Sequence, residues 1–199
     1  QVLGTVFRPA RSNGDPADAA LRALLQTTVL AVAMERRGWA AVDRATQAER
    51  QSRLDALTGL PNRRLWDEVL LQEQARCDRH GYHALVAVVD LDELKETNDS
   101  LGHLAGDVLL RMAAQALRSA VRDTDLVARL GGDEFGLLAV EFEDGDPESF
   151  AMRVKDHLAR SDVTASVGAA VAGPGESLSD AMVRADRTMY DEKRARKRG

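Results

Sequence analysis

Residues 131–135 read Gly131-Gly132-Asp133-Glu134-Phe135, between two apolar runs at 126–130 and 135–140. Two strand-like runs separated by a glycine pair predict a tight hairpin, with the glycines taking positive φ. Adjacent carboxylates where such a turn re-enters a strand are costly to desolvate unless a cation meets them. A divalent metal is the natural counter-charge. The string therefore ties a fold element, a β-hairpin, to a charge that needs a ligand.

Composition sets the outer limits. The chain has 199 residues, 44% apolar and 30% charged, which fits one globular domain with an appendage or two small ones. A net charge of −5 argues against a general nucleic-acid binder, so no nucleic-acid partner is expected. The single cysteine, Cys77, excludes an internal disulfide and suits a reducing, cytoplasmic compartment. No apolar stretch approaches the roughly 20 residues that cross a bilayer. Residues 1–20 lack the pattern of a signal peptide. The first residue is Gln1 rather than Met, so a piece of a longer protein is expected.

Residues 2–7 read as a short strand and 8–16 as a turn-rich loop. From about Pro16 to about Ala56 only Gly38 interrupts a helical pattern, and Asp15 followed by Pro16 is a start signal. A stripe at 3.5-residue spacing runs Leu21, Leu25, Thr28, Val32, Glu35, Trp39, Val42, Thr46, Glu49. Its apolar members suggest a parallel coiled-coil stalk; a helix packed on its own domain is the alternative. Some 40 helical residues would span about 60 Å.

The second half is more regular. A helix is expected over 63–78, a fully covered strand over 84–89 ending at Asp90, and a helix over 104–121. The hairpin follows, then a helix over 147–160, a strand over 163–171 and a last helix over 178–196. The order β-α-β-β-α-β predicts an α+β, ferredoxin-like core with a central antiparallel sheet flanked by helices. In that arrangement the first strand lies beside the hairpin. Asp90 then approaches Asp133 and Glu134, and three carboxylates converge. Carboxylate oxygens select hard cations such as Mg²⁺, and metal-assisted attack on a phosphate is a recurring use of such a site. A surface hairpin with exposed acidic residues is the plainer alternative.

Four further segments bear on the choice: Asp55-Ala56-Leu57-Thr58-Gly59-Leu60-Pro61-Asn62-Arg63-Arg64, residues 91–107, Arg129-Leu130-Gly131-Gly132-Asp133-Glu134-Phe135, and Ser166-Val167-Gly168. Together they resemble the GGDEF family of diguanylate cyclases from about Asp55 to about Arg196. The resemblance implies a palm-like βαββαβ fold and a reaction in which two GTP become cyclic di-GMP and two pyrophosphates, one GTP on each subunit of a homodimer. It implies that Mg²⁺, with Mn²⁺ as a substitute, is bound by Asp90, the Leu91 carbonyl, Asp133 and Glu134. It makes Asp133 the acceptor of the hydroxyl proton and gives Lys95 an electrostatic role on the phosphates. Asn98, His103 and Asp107 are then placed at the guanine, and Lys193 and Lys197 at the phosphates. Arg122 and Asp125, with Arg153 on the next helix, match the product-inhibition site.

The chain departs from the family at Leu94, where an aromatic is usual, at Thr97, where Ile or Val is usual, and in its tail. A family tail often reads Lys-x-x-Gly-Arg-Asn; here it is Lys193-Arg194-Ala195-Arg196-Lys197-Arg198-Gly199. Residues 2–36 resemble the end of a GAF sensory domain. The implied division is a sensory remnant at 1–15, a signalling helix at 16–54 that carries the dimer, and a cyclase domain at 55–199. A catalytically silent receptor for cyclic di-GMP or GTP is the rival reading. A cyclase with an adenine-containing product is disfavoured by Asp107, which suits the paired donors of guanine.

Overall fold

In the computed structural model, residues 53–142 and 145–196 are described. The expected N-terminal strand, the coiled-coil stalk as far as residue 52 and Lys197 lie outside these residues; the helix expected to about Ala56 does not include 53–56, where Leu54 bridges Pro61 and Asp55 accepts from the Thr58 amide. The described chain runs α1 (Arg63–His80), β1 (Ala84–Leu91), α2 (Leu94–Leu101), α3 (His103–Ala120), β2 (Leu126–Arg129), β3 (Glu134–Ala139), α4 (Pro147–Ala159), β4 (Ala165–Ala172) and α5 (Leu178–Arg196).

The four strands form one antiparallel sheet in the order β2-β3-β1-β4, the order expected for a ferredoxin-like core. All eight residues of β1 are buried, because helices cover both faces. Side chains alternate across a strand. Leu85, Ala87, Val89 and Leu91 pack with Leu110 and Leu117 of α3 and with Phe150, Val154 and Leu158 of α4. Val86 and Val88 pack on the other face with Trp66 and Leu70 of α1 and Ala181, Ala185 and Met189 of α5.

Local signals explain most boundaries. The Asn62 side chain caps α1 by accepting from the Leu65 amide at 3.2 Å. Gly81, at φ 74°, ends it two residues beyond the expected stop, since a left-handed residue closes a helix most easily without a Cβ. Asp146 caps α4, accepting from the Glu148 and Ser149 amides, with Pro147 in the first turn.

Two expectations change. Residues 94–101 form a helix, α2, that the sequence pattern did not separate from the loop. It contains no fully buried residue, its half-buried face of Leu94, Thr97 and Asn98 has one apolar member, and its Lys-Glu-Thr-Asn-Asp-Ser composition resembles a turn. The β2–β3 connection is also not a tight glycine turn. It spans residues 130–133, and neither Gly131 nor Gly132 takes positive φ; the glycines that do are Gly59, Gly81, Gly102 and Gly175. A four-residue loop can reverse the chain with negative φ throughout.

Candidate functional site

Asp90 continues the even-numbered face of β1, toward α1 and α5. It lies opposite Glu134 of β3 and opposite Ser166 of β4, so the three share one rung of the sheet. The Leu91 amide donates to the Asp133 carbonyl at 3.1 Å. That bond marks Asp90 and Glu134 as a non-hydrogen-bonded pair, the type whose side chains approach most closely. Asp90 is only 8% exposed. Its Oδ1 accepts from Lys193 Nζ of α5 at 2.5 Å, which balances a charge that burial would otherwise penalise.

The next turn of α5 repeats the pattern. Arg196 is ion-paired with Asp92 and donates to the Ala165 carbonyl at 3.3 Å. Ser166 Oγ donates to the other Asp92 oxygen at 2.8 Å. Glu192 accepts from the Val167 amide at 3.1 Å and from Lys155 Nζ at 2.7 Å. The C-terminal end of α5 is thus fastened to the carboxyl end of β1 through side chains.

Beside the rung sits the Gly131-Gly132 loop. Its carbonyls are held by Arg129: Nη2 donates to the Gly132 carbonyl at 2.7 Å, and Nε lies 3.3 Å from the carbonyls of both glycines. Nη1 of the same guanidinium reaches both Asp55 oxygens, at 3.0 and 3.2 Å. Asp55 in turn accepts from the Thr58 amide at 2.9 Å and the Thr58 hydroxyl at 2.6 Å. Burial pushes the Asp55 carboxyl up, but the Thr58 hydrogen bonds and then Arg129 outweigh it and hold the pKa below the ordinary value. Neither Asp55 nor Arg129 was singled out from sequence. The available signal was an Asp with Thr three residues on, and an Arg two before the glycine pair.

A Cβ built on Gly132 would meet nothing within 4 Å. The glycine is therefore required neither by φ nor by packing. What remains is close approach of something to the loop backbone.

Of the three carboxylates expected to converge, Asp90 and Glu134 are partners in the backbone register. Asp133 and Glu134 are consecutive, so they cannot both face Asp90 across the same rung. Among the described residues no three His, Cys, Asp or Glu side chains stand together as a metal cluster. Asp90, Glu134 and the Leu91 carbonyl form an all-oxygen donor set, and that chemistry fits Mg²⁺.

Immediately after β1, α2 and α3 pack closely. A Cβ on Gly106 would fall 2.1 Å from Asn98 Oδ1, so the Asn98 amide lies directly over that glycine. Asn98 and Asp107 are half-buried; Lys95 and His103 are exposed. Lys95, His103 and Asp107 form no ion pair among the described residues.

A separate cleft of about 390 Å³ is lined by Arg122, Glu141, Phe142, Asp146, Ser149 and Arg153. The two arginines expected to act together do share it. The Arg153 guanidinium lies 4.9 Å from the Phe150 ring centroid. The Asp125 carboxylate accepts from the Arg122 and Val140 amides, at 3.0 and 3.3 Å, so it also shapes the turn.

The family profile described as "Diguanylate cyclase, GGDEF domain" matches residues 52–199. The chain belongs to the GGDEF family. Two relatives from Pseudomonas aeruginosa are the diguanylate cyclase DgcP, 39% identical over 159 residues, and the cyclic di-GMP phosphodiesterase NbdA, 36% identical over 162 residues. These matches cover 74% and 76% of the chain but 23% and 21% of the relatives, so the chain spans under a quarter of their length. Among solved structures, the coiled coil and GGDEF domain of DgcB from Caulobacter crescentus, in complex with c-di-GMP, aligns at a TM-score of 0.72. The identity is 27%, over 88% of this chain and 95% of that one. Relatives of this GGDEF chain thus carry names for both synthesis and breakdown of one dinucleotide. No helix among the described residues is long and apolar enough to cross a membrane.

Proposed function

We propose that this GGDEF chain is a diguanylate cyclase: it condenses two GTP into cyclic di-GMP and releases two pyrophosphates. The observation that carries the reading is the Asp90–Glu134 rung beside a loop whose backbone is open at Gly132. A bound Mg²⁺, or Mn²⁺, would be held by Asp90, the Leu91 carbonyl and Glu134, with Asp133 beside them. The ion would supply charge stabilisation at the α-phosphate and acidify the attacking 3′-hydroxyl.

The protein's own groups do the rest. Asp133 takes the hydroxyl proton as the 3′-oxygen bonds to the α-phosphorus of the second GTP and the bond to pyrophosphate breaks. Lys95 offsets charge on the phosphates. Lys193, which balances Asp90 in the free protein, serves the phosphates together with Lys197. Asn98 and Asp107 receive the guanine edge, with His103 near it; a carboxylate suits the guanine N1–H and N2–H₂ donors, which adenine lacks. The second GTP comes from another subunit, joined through residues 16–54, in a chain divided at 1–15, 16–54 and 55–199. Cyclic di-GMP returns to the cleft that Arg122 and Arg153 share, with Asp125 on the adjoining turn, and inhibits, its phosphates met by the two guanidinium groups. The compartment is the cytoplasm, where GTP is at hand.

A receptor that binds cyclic di-GMP or GTP without turnover is the second reading. It is favoured by the match to a protein named for breakdown of the dinucleotide. One experiment separates the two. Purified chain with Mg²⁺ and GTP should yield cyclic di-GMP, detected by chromatography, and ATP should not replace GTP. Added cyclic di-GMP should slow the reaction. Asp133→Ala should abolish turnover while the fold, read by circular dichroism, persists. Tight binding of cyclic di-GMP with no turnover by the wild type would establish the receptor instead.

A further inference from the structure

The end of α5 carries two cations that meet two anions. Lys193 and Arg196 are three residues apart on one helix face, while Asp90 and Asp92 are two apart along β1 and its exit. The pairs are Lys193 with Asp90 and Arg196 with Asp92. Asp92 is 11% exposed in its side chain, so its charge needs partners. Ser166 supplies one and Arg196 the other. Arg196 divides its fork, one nitrogen on Asp92 and the other on the Ala165 carbonyl, a geometry a lysine cannot reproduce.

We infer that Arg196 is a positioning residue for the nucleotide phosphates, acting through Asp92 on Lys193. The inference rests on the GTP reading above. With Arg196 present each carboxylate has its own cation, and Lys193 needs only to leave Asp90 to serve a phosphate. Without Arg196, Lys193 faces two uncompensated carboxylates at once and is held away from the phosphates. The last turn of α5 also loses its anchor to β4, so Lys193 must be ordered on binding, which weakens affinity.

The test is calorimetric titration of the whole chain with a non-reacting GTP analogue, the α,β-methylene triphosphate, in Mg²⁺. Arg196→Gln should weaken binding by about fivefold to tenfold. Asp92→Asn should weaken it less, because it removes an anion along with the anchor. Arg196→Lys, which keeps the charge, should fall closer to wild type than Arg196→Gln. The double variant should be no weaker than Arg196→Gln alone, as expected for one coupled pair. Hydrogen exchange of amides 190–196 should quicken by about tenfold in Arg196→Gln. This reports the latch without any ligand and also shows that the rest of the fold is intact. Unchanged affinity or unchanged exchange in Arg196→Gln, or additive effects in the double variant, overturns the inference alone. A wild type that does not bind the analogue overturns the GTP reading and the inference with it.

Discussion

Asp133 and Glu134 are neighbours in sequence with different surroundings. Glu134 is on the rung with Asp90, while Asp133 is fixed to β1 through its carbonyl. The two carboxylates of one motif therefore stand at different positions along β1, opposite Asp90 and opposite Leu91. Gly132 sits just before them in open space with negative φ. Gly132→Ala should therefore leave the fold as stable as wild type or more stable, by up to about 1 kcal/mol, through the unfolded chain. The same methyl should lower GTP turnover by about tenfold or more, since small displacements at a reacting centre are costly. A thermal melt and a rate measurement on one sample check both. Asp55 offers a prediction in pH. Its folded pKa lies below the ordinary value of 3.8. Its contribution is present above about pH 4 and is lost as pH falls through the folded pKa. Asp55→Asn should cost about 1 kcal/mol or more at pH 7, through the lost bonds to Arg129 and Thr58. It should also flatten the loss of stability below pH 4, as followed by urea unfolding at several pH values.

At the scale of elements, α5 is pressed onto β4 at Gly168. A Cβ there would lie 2.0 Å from the Ala185 carbonyl oxygen and 2.4 Å from the Met189 amide nitrogen. These are helix backbone atoms, so the helix must lift rather than a side chain rotate. Gly168→Ala should destabilise by about 1–3 kcal/mol, measured by chemical denaturation. It should also disturb the site, because Glu192, Lys193 and Arg196 lie on the next turns of the same helix. An unchanged unfolding midpoint would show that α5 does not pack this closely. The loop 130–133 depends on another element in the same way. Arg129 holds Asp55, itself bonded to Thr58, on one side and two loop carbonyls on the other. The segment before α1 is thereby coupled to the backbone beside the candidate metal ligands.

For the molecule as a whole, the proposed cyclase reaction, with one GTP on each of two chains, makes activity depend on pairing. Rate per chain should therefore fall on dilution below the dimer dissociation constant, by mass action. Initial rates over about two decades of concentration, set beside sedimentation of the same samples, check this. A rate per chain independent of concentration, with a monomer in sedimentation, would exclude the paired-site mechanism.

The sequence alone determined the order and type of the larger elements, because their periodicities are strong: β1 is apolar throughout, and α3 shows a clear stripe. It also nominated the candidate residues: Asp90, Asp133 and Glu134 from the pattern of carboxylates at strand ends, and Asn98, Asp107 and Arg122 through the resemblance to the GGDEF family. Tertiary structure decided what local pattern cannot carry. Helix α2 is short and its half-buried face of Leu94, Thr97 and Asn98 is mostly polar, so no apolar periodicity announces it. The loop of Gly131 and Gly132 takes no positive φ, and its carbonyls are held by Arg129, a side chain whose reach local pattern does not give. The pairs Lys193–Asp90, Arg196–Asp92 and Arg129–Asp55 join residues about 70 to 100 positions apart. Such pairs exist only once the sheet has brought the strand ends beneath α5 and beside the segment that precedes α1.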